Sequence, residues 1–212
     1  YLNQVRDLAE RTGDREIERE WASSLTNMIS GFARKAEPEK AVEYLNQVRD
    51  LAERTGDREI EREWASSLTN MILGFAEKAE PEKAVEYLME LEAVFPFVFV
   101  SFPYDALESM CIAYYWLCLS FVNDYSLFRQ FFTRFSRFVA KFFNVITIPY
   151  YLRLIVDSAF KLRGVRGFVL FLCGFGVAVR ALKELNHPQG FLLVLGGFIK
   201  YLKEVVCGSG CK

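Results

Sequence analysis

Six residues carry the imidazole and thiol groups that most readily build a nucleophilic or zinc site: one histidine, His187, and five cysteines, Cys111, Cys118, Cys173, Cys207 and Cys211. A Ser-His or Cys-His nucleophile would have to use His187, which stands in the loop signature Asn186-His187-Pro188-Gln189-Gly190. No serine or cysteine context beside it suggests an activated nucleophile. Cys207 and Cys211 form the one close cysteine pair, and zinc would ask for four ligands where His187 is the sole imidazole. They read as incidental thiols in a tail. Cys173-Gly174-Phe175-Gly176 lacks the third glycine of a dinucleotide loop and falls inside a helical pattern. The Glu/Arg runs of residues 14–20 read as a solvated helix face laced with i,i+3 and i,i+4 pairs. The expectation is a protein that is not an enzyme, with no cofactor and no bound metal.

The elements that would position any site follow from an internal repeat. Residues 1–43 and 44–86 are identical except for Ser30 against Leu73 and Arg34 against Glu77, a period of 43. In each repeat Ile17, Trp21, Leu25, Met28, Ile29, Phe32 and Ala36 fall at helical spacing, predicting a helix over 15–36. Gly13 can cap the preceding helix in the left-handed conformation, and Asp14 can N-cap this one. Pro38 opens a second helix through Ala41, Leu45, Val48 and Leu51 to residue 55. The second repeat predicts helices over 58–79 and 81–92. Two helices joined by a short connection make a hairpin, and one hairpin cannot cover its own apolar stripe, so neighbours must stack.

The pattern continues in degenerate form. Leu107, Cys111, Tyr114, Tyr115, Cys118, Leu119 and Val122 stand 86 residues after Trp21 and its stripe. Phe128, Phe131, Phe132, Phe135 and Phe138 complete a third hairpin, with a fourth over 149–163 and 168–185 and a closing helix over 191–206. The apolar, two-proline segment Phe95–Pro103 reads as an extended connector. The fold class is therefore all-α, a solenoid of helical hairpins in two parts: near-identical repeats in 1–92 and divergent, Phe-rich repeats in 93–212. Tyr1 matches Tyr44, which lies inside a helix, so the chain is expected to start mid-helix, like a fragment of a longer array.

The net charge of −1 hides a split. Residues 1–92 hold 13 Lys and Arg against 21 Asp and Glu, a charge of −8, and residues 93–212 hold 13 against 6, a charge of +7. All phenylalanines but Phe32 and Phe75 follow residue 94. Cysteines without framework spacing inside apolar patterns indicate a reducing compartment, hence a cytoplasmic protein. Its longest charge-free stretches, Ser109–Asn123 and Leu185–Ile199, are too short to span a bilayer.

The hairpin resembles the tetratricopeptide repeat. Met28, Phe32 and Ala41 stand at that family's spacings, with Leu45 where it has an aromatic; the period of 43 and Ile29 in place of a small residue depart from it. The resemblance implies a right-handed superhelix whose inner groove, lined by first helices, holds a peptide or partner helix. Carried over position by position, groove residues would be Ser23, Thr26, Ser30, Ala33 and Arg34, then Ser66, Thr69, Leu73, Ala76 and Glu77. The expected function is a protein-protein interaction scaffold.

A membrane-peripheral or lipid-contacting domain is the alternative, with Arg129, Arg134, Arg137 and Lys141 as the face for an anionic membrane or an acidic partner. Nucleic acid is not expected as a partner, because the aromatics read as buried rather than free to stack. Self-association is expected through an uncapped N-terminal end offering Leu2, Val5, Leu8 and Ala9.

Overall fold

A computed structural model describes residues 2–142 together with 150, 151, 154, 157 and 158. The expected helices over 168–185 and 191–206, His187, Cys173, Cys207 and Cys211 lie outside the described residues, as does most of the expected helix over 149–163. Seven α-helices are laid out among the described residues: α1 (Leu2–Thr12), α2 (Arg15–Ala33), α3 (Val42–Thr55), α4 (Arg58–Glu77), α5 (Pro81–Ser101), α6 (Pro103–Ser120) and α7 (Tyr125–Lys141). No strand occurs among the described residues. The chain is all-α, and its packed helices are compatible with a helical repeat fold. It divides into two compact units, Tyr1–Ser120 and Phe121–Lys212.

Local chemistry sets the helix ends. Gly13 and Gly56 follow α1 and α3 in the left-handed conformation that a residue without a side chain adopts freely. Their amides close back on the carbonyls of Ala9 and Ala52. Asp14 and Asp57 each accept a hydrogen bond from the amide two residues on, at 2.8 and 2.9 Å, which satisfies a donor that the first turn leaves free. The first helices stop at Ala33 and Glu77, short of the expected 36 and 79. There Ala36 and Ala79 turn left-handed, and the Glu37 and Glu80 amides reach back to the Phe32 and Phe75 carbonyls. Such a turn caps carbonyls that would otherwise end unpaired. The Pro38 opening is a single 3-10 turn, Pro38–Ala41, ahead of α3, whereas its sister Pro81 begins α5 directly.

One expected element is overturned. The segment 95–103 is not an extended connector: α5 runs through Pro96 to Ser101, and α6 starts at Pro103. A helix-interior proline costs about 3 kcal/mol, but buried Leu91, Val94 and Val98 straddle it on one continuous apolar face. The break falls instead at Phe102. It is the residue before Pro103, where the ring of the following proline disfavours helical geometry.

In the first compact unit the first helices α2, α4 and α6 pack side by side in succession, and each of α1, α3 and α5 lies against its neighbours along the chain. Both hairpins bury equivalent positions, Leu25, Leu45 and Val48 in the first and Leu68, Leu88 and Leu91 in the second. Both also stack the same ring pair, Phe32 on Tyr44 at 5.9 Å and Phe75 on Tyr87 at 5.5 Å. The seam between repeats is polar as well as apolar. Thr26 Oγ1 and Ser67 Oγ share a 3.0 Å hydrogen bond, and Arg19 forks onto Asp57 with Nη2 at 2.8 Å from Oδ2. Arg54 reaches Glu18 at 3.0 Å, and Lys78 bonds Glu39.

In the second compact unit α7 turns Phe128, Phe131 and Phe135 inward, each no more than 3% exposed. Phe121 stacks on Phe131, and Tyr151 packs on Phe132 and Phe135. Among the described residues no helix is long and apolar enough to cross a membrane.

Candidate functional site

Helix α4 brings Arg62, Ser66, Thr69 and Leu73 onto one face, because residues three and four apart share a side of a helix. Helix α6 sets Asp105, Ser109 and Ile112 opposite them by the same spacing, and Val98 of α5 closes the end. Between them lies a recess of about 420 Å³. Its walls are mixed: Leu73, Ala65, Val98 and Ile112 are apolar, while Ser66, Thr69, Asn70 and Ser109 supply hydroxyls and an amide.

The electrostatics are lopsided. Arg62 is the one basic residue on the lining, against Glu63, Asp105 and Glu108. Arg62 is shared among several carboxylates: its guanidinium lies 3.0 Å from Glu59, outside the lining, and 3.8 and 3.9 Å from Asp105 and Glu63 on it, and it sits over the Phe102 ring at 4.9 Å. A recess with more carboxylates than cations and apolar residues among its lining favours a cationic group on an apolar stem, such as a lysine or arginine side chain.

The residues expected to line a groove fall into three kinds of place. Ser66, Thr69 and Leu73 line the recess together. Thr26 is 7% exposed and is taken up by the Ala22 carbonyl at 3.0 Å and by Ser67, so it belongs to the α2–α4 seam. Ala33 is fully buried there. Ser23 and Ser30 are half-buried on α2, and Arg34 and Glu77 are exposed at the C-terminal ends of α2 and α4. Asp105, Ser109 and Ile112 were missed by sequence reasoning; their signal was the 86-residue match of α6 to α2, which placed a polar face on α6 as well.

The sequence matches no protein-family model, no curated protein and no solved structure. The described thiols are ill-suited to nucleophilic chemistry, which needs the thiolate. Burial, with Glu108 adding to it, pushes Cys111 up to about 12, and burial pushes Cys118 up as well. On α7, Arg129, Arg137 and Lys141 are exposed, and Arg134 leans over Phe131 at 5.7 Å. The phenylalanine face that a lipid-contacting helix would offer to a membrane is largely turned into the fold.

Proposed function

We propose that this chain is a non-enzymatic, cytoplasmic interaction scaffold, a tetratricopeptide-like solenoid that holds a peptide or partner helix on the face of its first helices. The recess between α4 and α6 carries this reading: Leu73, Ala65, Val98 and Ile112 line it together with three carboxylates and one committed arginine. That lining suits a partner with apolar anchors and at least one lysine or arginine, the side-chain pattern of a helix laid into a groove. Ser30 and Leu73 are one of the two differences between the repeats, and Leu73 lines the recess, so the change adapts this one site rather than every repeat.

Selection from a random peptide library on the immobilised full chain tests the reading. Enriched peptides should share apolar residues at helical spacing and a basic residue, and soluble versions of them should compete with one another. Enrichment of acidic peptides alone, or of none above a blank surface, would overturn it.

A further inference from the structure

Two equivalent sites in the near-identical repeats differ in one acceptor and in how deeply the tryptophan is buried. In the second repeat the indole Nε1 of Trp64 donates to Glu90 Oε1 at 3.0 Å. Arg49 closes on the same carboxylate, Nε to Oε1 at 2.9 Å and Nη2 to Oε2 at 2.8 Å. Forty-three positions earlier stand Trp21, Arg6 and Gln47. The donors are unchanged; the carboxylate has become a neutral amide. Trp21 is 6% exposed, and its indole N–H is buried without a hydrogen-bond partner. The Arg6 side chain is 42% exposed and contacts its chain neighbour Asp7 at 3.4 Å. Arg6, Trp21 and Gln47 line a recess of about 390 Å³ among α1, α2 and α3, separate from the one between α4 and α6.

We propose that this recess binds a single carboxylate presented by a protein partner, held between the Arg6 guanidinium and the Trp21 indole N–H. The second repeat supplies the precedent within the chain: the same two donors, on helices of the same sequence, hold a carboxylate already. A buried N–H left without an acceptor is a standing cost to the fold, and a charged acceptor relieves it with a stronger bond than a neutral one. The site takes one charge and not a polyanion. Glu10 and Asp50 also line the recess and would repel a phosphate-rich ligand, while Arg54, the other cation there, is held by Glu18 at 3.0 Å.

Three peptides, titrated into the nitrogen-15-labelled full chain, test this. One is an acetylated, amidated alanine peptide with a central glutamate, one is the same peptide with glutamine, and one is an alanine peptide with a free C-terminal carboxylate. The Trp21 indole N–H resonance, assigned by its loss in Trp21→Phe, should move saturably with one or both carboxylate peptides and not with the glutamine control. Which of the two moves it separates a side-chain carboxylate from a chain end. Gln47→Glu supplies the acceptor from within, so the Trp21 resonance should shift toward that of Trp64 without peptide, and affinity should fall roughly tenfold or more. Arg6→Gln, at a part-exposed side chain whose ion pair is with its chain neighbour Asp7, should weaken binding to a similar extent. Equal shifts with the glutamine peptide, no shift with either carboxylate, or full binding by both variants would overturn the proposal.

Discussion

A β-carbon placed on Gly74 would stand 3.1 Å from Ala33 Cα and 3.1 Å from Pro38 Cβ, so α4 docks on the first repeat at a distance that a glycine permits. Its sister Gly31 has open space at the same place on α2. The residues match; the neighbours do not. Gly74→Ala is therefore expected to destabilise the fold by about 1–3 kcal/mol through overpacking. Gly31→Ala should instead stabilise it by roughly 0.5–1 kcal/mol, as alanine replaces glycine in a helix interior. Urea unfolding of both variants decides the point, and equal effects of the same sign would contradict the docking.

Much of this was legible in the sequence, and the exceptions have a common cause. Helical periodicity, Asp14 and Asp57 as caps and Gly13 and Gly56 as terminators depend on nearby residues, so the helices of both repeats could be read directly. Exposure depends on what packs next door. Met28 is 40% exposed and Met71 fully buried, although the residues around them are nearly the same. Thr26, expected in an open groove, lies in the α2–α4 seam for the same reason. The segment 95–103 failed differently: two prolines suggest an extended connector until the buried face through Val98 is weighed against Pro96. The recess could be read on α4, through Ser66, Thr69 and Leu73, and on α6 only through the drifted match that sets Asp105, Ser109 and Ile112 86 residues after Arg19, Ser23 and Thr26.

The two tryptophans hold the same place in the apolar stripes of their repeats, yet they are not equally buried. Trp21 is 6% exposed, while Trp64 is half-buried with its indole on Glu90. Trp21→Ala should cost about 3–5 kcal/mol, the range for emptying a packed aromatic site. Trp64→Ala should cost measurably less. Denaturant midpoints in the reverse order would show that the side of each helix facing the core has been misplaced.

Ala36 and Ala79 hold left-handed backbone angles. For a residue with a β-carbon that conformation costs roughly 1–2 kcal/mol, whereas glycine tolerates it freely. Ala36→Gly and Ala79→Gly should each raise stability by roughly 0.5–1 kcal/mol, the relief of strain exceeding glycine's entropic cost. Melting temperatures that fall in both variants would mean the turns are not left-handed.

Asp57 links repeat stacking to pH. Burial pushes its carboxyl up, but hydrogen bonds from Arg19 and from the Glu59 amide outweigh that and hold it below the usual carboxylate range. A carboxyl lowered in the fold contributes stability that is fully present above its unfolded value of about 3.9 and is lost as pH falls through the lower folded value. Asp57→Asn keeps a capping side chain yet loses the ion pair. It should be less stable than the parent at neutral pH, with the gap closing below about pH 4. A constant gap down to about pH 2 would separate Asp57 from the acid response.

Whether the α4–α6 recess is where a partner binds can be measured most directly by calorimetric titration of a selected basic amphipathic peptide into the parent chain and into Leu73→Arg. Leu73 is part-exposed and lines the recess, so arginine there places a long cationic side chain where the partner's own should sit while sparing the core. The account predicts that the parent binds and that Leu73→Arg loses roughly tenfold or more in affinity with its melting temperature little changed. Undiminished binding by a folded Leu73→Arg chain would contradict it.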